Sequence, residues 1–195
     1  MRLPWATRGG EREGPGTYSI DARAIAVSHH RRQAKVAQPW AAWGKDSDKH
    51  WFFGFKLHAV CDRRGQLVSL RIRAGNVADI TKAEALLSQL RGLAMADAAY
   101  ISASLREKLW AVGLLLLSPL RKNMKGLASL EQMGQLKGRQ IIETVFSMLK
   151  ERLGLITSLP RSLDGYLVHY VLVLLAYQLG RWVLQALCPP SLPVP

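Results

Sequence analysis

Cysteine is scarce in this chain: Cys61 and Cys188 are the only two among 195 residues, and they form no CxxC pair and no Cys/His ligand spacing. That excludes a disulfide-stapled scaffold and a structural zinc ribbon, and it makes a reducing cytoplasm the default compartment. There is no G-x-G-x-x-G, no P-loop and no H-E-x-x-H, so no signature of dinucleotide binding, of an NTPase phosphate loop or of a zincin is present. No internal repeat marks a solenoid. The opening stretch from Met1 to Gly16 lacks an apolar h-region and any hydrophobic period. It mixes Arg2, Arg8, Arg12, Glu11 and Glu13 with glycines and Pro15, and reads as a poorly ordered lead-in rather than a signal peptide. Acidic residues are also few. Against 27 Lys and Arg there are 14 Asp and Glu, giving a net charge of +13 and a pI near 10.3. Such a balance points to an anionic polymer or surface as partner.

What is present is organised around residues 138–150. Ile142, Val145, Phe146 and Leu149 recur at three- and four-residue steps, the apolar stripe of an amphipathic helix. Arg139, Glu143 and Lys150 stand at i, i+4 and i+11, along one side of a regular helix. That side borders the stripe, which puts Glu143 at the rim of a core. The alternative is a surface helix with a simple Arg139–Glu143 pair. Across residues 119–161 there are eight Lys or Arg against Glu131, Glu143 and Glu151, so a positive field surrounds Glu143, as a polyphosphate cleft requires.

In chain order, Tyr18 to Val27 alternates well enough for a strand, with Asp21 near its middle. Asp is disfavoured in strands, so a placed one is worth noting. Residues 28–48 are polar and basic, interleaved with Trp40 and Trp43, and read as a long loop. It is suited either to phosphate contact with base stacking or to a solvated loop whose tryptophans tuck onto the core. Trp51 to Cys61 and Gln66 to Ala74 are strands flanking the turn Asp62-Arg63-Arg64-Gly65, where glycine supplies a positive φ. Lys56 and His58 share one face of the first of these strands. Asp79 reads as the N-cap of a helix from Ile80 to Leu90. Leu93 to Ala96 is a short buried strand ending at Asp97; Ser102 to Val112 is a helix closed by Gly113; Leu114 to Leu117 is a second buried strand.

The last helix, about Leu163 to Leu187, is very apolar. A membrane span would have to bury His169, Gln178 and Arg181, and its apolar run of about twelve residues is short for one. A buried core helix is the reading, with no membrane partner. The whole order is β-β-β-α-β-α-β-α. This predicts an α/β fold with a mixed five-stranded sheet, three antiparallel strands followed by alternating α and β, and helices on both faces. In open α/β sheets sites gather at the carboxyl ends of strands, where Asp97 sits.

Asp21, Asp97 and Glu143 thus fall on a strand, a strand end and a helix rim. Carboxylates brought close repel one another, so such a cluster is normally held by a cation. A few hard oxygen ligands suit Mg²⁺ or Mn²⁺, and two such ions about 4 Å apart can activate an attacking oxygen and stabilise a leaving one.

These residues also carry a resemblance. Ile20-Asp21-Ala22, the strand Gly54-Phe55-Lys56-Leu57-His58, Gly75-Asn76-Val77-Ala78-Asp79, Ala96-Asp97-Ala98-Ala99-Tyr100, Pro119-Leu120-Arg121-Lys122-Asn123 and Arg139…Glu143…Phe146…Lys150 occur in order. Together they resemble the DDE transposases of bacterial insertion sequences, whose catalytic core is ribonuclease H-like. The resemblance implies a catalytic domain over about residues 18–188, between the lead-in of residues 1–17 and a Pro-rich tail at 189–195. It implies Asp21, Asp97 and Glu143 as catalytic, metal-binding residues for two Mg²⁺ or Mn²⁺ ions, with Lys56, His58, Arg121, Lys122, Arg139 and Lys150 contacting DNA. The implied reaction is strand cleavage and transfer on double-stranded DNA, at element ends and target, by a homodimer in the bacterial, nucleoid-associated cytoplasm. The chain departs from the family at Ala22 and at Ala98-Ala99. The family usually has a helical DNA-binding region ahead of the first aspartate, and only twenty residues precede Asp21. The chain therefore reads as truncated at its N-terminus, with an inactive, DNA-binding remnant as the alternative to an active core.

Overall fold

A computed structural model of the chain describes residues 16–27, 40–46, 49–119, 138–156, 160 and 162–187. The basic link holding Arg121 and Lys122, the tail at 189–195 and nearly all of the lead-in lie outside the described residues.

The first strand, β1 (Gly16–Ala26), is central. It pairs antiparallel with β3 (Trp51–Asp62) over nine residues, from Tyr18 opposite Asp62 to Ala26 opposite Gly54, and parallel with β5 (Gly92–Met95). β6 (Leu114–Leu117) adds to β5 in parallel, and β4 (Leu67–Ala74) returns along β3 as the hairpin partner expected from the sequence. The hairpin turn closes as anticipated. Gly65 sits at φ 74°, and the Asp62 carboxylate accepts hydrogen bonds from the backbone N–H groups of Arg64 and Gln66.

The sheet has six strands rather than five. Within the stretch expected to be a loop, β2 (Ala42–Lys45) pairs antiparallel with the start of β3. Its residues are too few and too polar at the surface to show a strand period. Glycine decides the fit: a Cβ at Gly44 would lie 2.1 Å from the Gly75 carbonyl oxygen, so only glycine lets β2 abut the end of β4. Neither tryptophan tucks into the core. Trp40 and Trp43 are exposed, Trp43 stands 5.6 Å from the Phe53 ring, and Lys45 lies over Trp51.

Alternation along β1 and β3 splits the core in two. Ile25, Val27, Phe55, Leu57, Ala59 and Cys61 face one layer of helices. These are α3 (Gln140–Ser147), its π-helical continuation (Met148–Arg152), and α4 (Leu163–Leu187). Ile20 and Val60 face the other layer, made by α1 (Ala83–Leu87) and α2 (Ala103–Ala111). The result is an α/β/α sandwich, with helices on both faces as the sequence predicts. Ser102 caps α2 through its hydroxyl, and Gly113 follows its C-terminus at φ 81°. Asp79 does not cap a helix. It opens a 3₁₀ turn (Asp79–Lys82) while its carboxylate pairs with Lys56, and the expected helix to Leu90 shortens to α1.

Helix α4 is fixed to the sheet by rings with polar tips. Tyr166, Tyr170 and Phe55 pack with centroids 6.0–6.4 Å apart. The Tyr166 hydroxyl donates to the Val27 carbonyl and that of Tyr177 to the Gly65 carbonyl, and Gln178 accepts from the Leu67 N–H. The expected buried core helix is buried on one side only. Of its most apolar 18 residues 28% is buried, and by length and composition the helix is long enough to cross a bilayer.

Phe146, fully enclosed between α3 and the sheet, is the sharpest test of this packing. Phe146→Ala should cost about 3–5 kcal/mol in urea unfolding. Trp110→Ala, on the exposed side of α2, should stay within about 0.5 kcal/mol.

Candidate active site

Register brings the first two acids together. Ser19 on β1 lies beside Met95 on β5 in a parallel pair. Two residues further along both chains, Asp21 comes level with Asp97, and the two-residue step keeps them on one face. Asp21 is also paired with Ala59, whose side chain belongs to the α3–α4 layer, so this is the face that α3 covers. Each carboxylate is held locally: Asp21 accepts from the Ala22 N–H at 2.8 Å, and Asp97 from the Ala98 N–H at 2.6 Å. Asp97 opens a 3₁₀ turn (Ala98–Tyr100) just past the end of β5.

The third acid arrives through a cation. Arg139, at the start of α3, places Nη1 3.3 Å from Asp97 Oδ1 and Nη2 2.9 Å from Glu143 Oε1. The guanidinium is the more enclosed partner, 26% exposed against 50% for Asp97 and 54% for Glu143. The i, i+4 pair of the simpler surface reading therefore exists, but the same arginine also ties α3 to the end of β5. Lys150 falls in the π-helical turn that continues α3, and its side chain is exposed.

Electrostatics mark Asp21 as the uncomfortable member. Burial pushes its carboxyl up to about 6; the Ala22 N–H and the Arg139 charge oppose this, while Asp97 and Asp79 add to it. Among the described residues, no three Asp, Glu, His or Cys side chains stand close enough to hold one ion as they are arranged. The reason is visible: a guanidinium already occupies the space between Asp97 and Glu143. Their chemistry nevertheless suits a divalent ion. All three donors are hard carboxylate oxygens, two are bridged by one cation, and the third is stabilised by that same cation.

The remaining expected contacts are elsewhere. Lys56 and His58 do share a face, but it is the face opposite Asp21, since His58 pairs with Ala22 and Lys56 with Ala24. Lys56 Nζ is 3.1 Å from Asp79 Oδ1. His58 is fully buried, neither ring nitrogen has a hydrogen-bond partner among the described residues, and burial lowers its pKa. A neutral, enclosed imidazole cannot reach a phosphate, so His58 is corrected from a DNA contact to a core residue. Arg121 and Lys122 lie outside the described residues.

Two neighbours of the cluster were not singled out as site residues in the sequence. Asp79, read there as a cap, raises the Asp21 pKa. Tyr100, three residues after Asp97, is buried, and its hydroxyl is pushed above its usual range by burial and by Asp21, Asp79 and Asp97. The three-residue spacing of Asp97 and Tyr100 was the available signal.

Comparison with known proteins accords with this geometry. The chain resembles a piggyBac transposase solved by cryo-EM as a synaptic complex with hairpin DNA, with a TM-score of 0.58 at 11% identity. The match covers 84% of this chain and 46% of that one. At that identity the likeness speaks for the fold, a transposase fold of the ribonuclease H-like kind. No curated protein matches the sequence. The family profile described as the transposase DDE domain matches residues 12–162. With most of its length matched, the chain belongs to the transposase DDE domain family.

Proposed function

We propose that this chain is the catalytic core of an insertion-sequence transposase, performing divalent-metal-dependent cleavage and strand transfer on double-stranded DNA. The observation that supports it best is the convergence of Asp97, Glu143 and the field of Asp21 on the single Arg139 guanidinium. In this reading Asp21, Asp97 and Glu143 would hold Mg²⁺ or Mn²⁺, two ions in all. When bound, the ions supply activation of the attacking oxygen and stabilisation of the leaving one. The chain's own part is positional. The Ala22 and Ala98 N–H groups hold two carboxylates in place, and the buried Asp21 gains from any cation that replaces water around it. Arg139, once its carboxylate partners turn to a metal, is free to meet a backbone phosphate, and Lys150 offers a second charge from the same segment. The net charge of +13 supports DNA as the anionic partner, with binding that weakens steeply as salt rises. The bacterial nucleoid is the setting this reading entails.

Glu143→Gln tests the triad. An exposed i, i+4 pair is worth a few tenths of a kcal/mol, so the melting temperature and DNA affinity should hold while Mn²⁺-dependent strand cleavage is lost. Cleavage at the wild-type rate in the mutant would remove Glu143 from the site. A wild type that binds DNA and never cleaves or joins it would leave the non-catalytic remnant as the better reading.

Asp21 gives a pH signature. Its folded pKa of about 6 lies above the ordinary 3.8, so the folded state binds the proton more tightly. Wild-type stability should therefore fall as pH rises from about 4 through 6. Asp21→Asn keeps the acceptor for the Ala22 N–H and removes the charge. At pH 7 it should be more stable than wild type by on the order of 3 kcal/mol, with the difference closing near pH 4. Added Mg²⁺ should raise the wild-type melting temperature and not the mutant's. Parallel pH profiles for the two proteins would show that Asp21 carries no buried charge.

A further inference from the structure

The β2–β3 ribbon carries an aromatic strip with a cation set into it. Trp43 lies opposite Phe53 and Lys45 opposite Trp51. Cross-strand partners and residues two apart share a face, so all four project on the same side. Phe53 is half-buried against the core beneath α4, while Trp43 and Trp51 are 43% and 53% exposed. The rings are ordered. Trp43 and Phe53 have centroids 5.6 Å apart, and Lys45 Nζ stands 4.7 Å from the centre of Trp51. The turn behind them is closed by Asp46, whose carboxylate accepts from the His50 N–H at 2.8 Å and lies 3.7 Å from His50 Nδ1. That carboxylate is engaged within the turn, whereas Lys45 keeps its charge on the ring face.

We infer that this strip is a subsite for unpaired nucleotides of DNA, with bases stacked on Trp43 and Trp51 and Lys45 at a neighbouring phosphate. The inference rests on DNA as the partner, and it adds which form of the strand is held and where. Interleaved ring faces and cations suit stacking on bases, which tolerates any sequence because every base has a flat face. A closed duplex offers no such face. Its bases cover one another, and its groove edges are read by hydrogen bonding, for which an indole carries a single donor. A protein partner suits the strip less well. Two half-exposed indoles, at no more than roughly 250 Å² each, fall far below the ~800 Å² that one side gives to a standard protein interface. Charge agrees with a nucleic acid: the chain carries +13, and the strip has its own cation. Asp21 pairs with Ala59, eight residues along β3 from Trp51. At about 3.3 Å per residue that is roughly 26 Å, or about eight nucleotides at 3.4 Å each. The strip therefore cannot touch a phosphate held at the acids; it holds DNA further along.

Binding measured in EDTA separates this subsite from catalysis. The readout is fluorescence anisotropy of labelled (dT)20 and of a 20-base-pair duplex, titrated with the full chain across a salt series. Trp43→Ala and Trp51→Ala, checked for unchanged melting temperature, should each weaken (dT)20 binding at least about fivefold and duplex binding less than about twofold. Trp51→Phe, which keeps a ring, should retain most of the (dT)20 affinity. Stacking and charge part on salt. Trp51→Ala should leave the slope of log affinity against log salt unchanged, whereas Lys45→Met should reduce it by about 0.7. A reading that needs no variant comes from (dT)20 carrying 5-iodouracil, whose photoadducts on the wild type should fall on Trp43 or Trp51. Adducts only elsewhere overturn the inference, as do alanine variants that bind (dT)20 like the wild type or lose duplex and single strand equally. So does association with anionic vesicles that Trp51→Ala abolishes while (dT)20 binding stands. A wild type that binds neither oligonucleotide removes DNA as the partner and the subsite with it. Tight duplex binding without (dT)20 binding overturns the subsite alone.

Discussion

The register of β1 is the constraint on which the structure turns. The strand is hydrogen-bonded on both sides, to β3 for nine residues and to β5 for four, and its side chains alternate between two separate cores. Ile20 goes to the α1–α2 layer while Asp21 goes to the α3–α4 layer. A slip of one residue would bury the carboxylate among Ala94, Tyr100 and Leu116 and lift Ile20 towards Arg139. Because Ile20, Ile25 and Val27 are all fully enclosed on their proper sides, apolar burial sets the register, and the register sets where the charge goes. The acid is thus positioned by its hydrophobic neighbours more than by its own contacts.

The same sheet face has to accommodate both an apolar core and a polar rim. Phe146, Ile142, Val145 and Leu149 press α3 onto the sheet, and the start of the helix lies beside the middle of β1 and the end of β5. The charges collect there. Arg139 is held near the two acids because it is the residue before α3 begins, and the apolar stripe behind it fixes the orientation of the helix. α4 then closes the layer with three tyrosines, two of which donate hydroxyls to the Val27 carbonyl just past β1 and the Gly65 carbonyl in the hairpin turn, and so satisfy buried backbone groups.

Long, strongly periodic segments were legible in the sequence. α4 spans Leu163–Leu187 as read from the sequence, β6 is the run Leu114–Leu117, and the hairpin turn is signalled by Asp62 and Gly65. β2 was not legible, since four residues containing Gly44 and Lys45 show no period and form a strand only because β3 extends beyond β4 to receive them. Asp79 looked like a cap because local sequence cannot show that a lysine 23 residues earlier will take its carboxylate. The misplacement of His58 has a related cause. Alternation correctly put it on the face of Lys56, but which face meets the acids depends on the pairing with β1, a long-range fact. The outer side of α4 was misjudged for a third reason: hydrophobicity shows that a helix is to be covered, not by what.

Arg139 shows why a charge pattern read along one helix underdetermines a site. Along the helix it is the partner of Glu143, and an exposed pair of that kind contributes little to stability. In three dimensions it is the counter-ion of an acid cluster drawn from three elements, and its guanidinium is more enclosed than either carboxylate it touches. Without a cation there, Asp97 and Glu143 would face Asp21 across a partly desolvated space, and the cost already evident at Asp21 would spread to its neighbours. A single delocalised charge is sufficient to hold the three in place, but it satisfies Asp21 only through space. The carboxyl of Asp21 therefore remains raised, and it is this unmet charge that a smaller, doubly charged ion would relieve more completely than a guanidinium can.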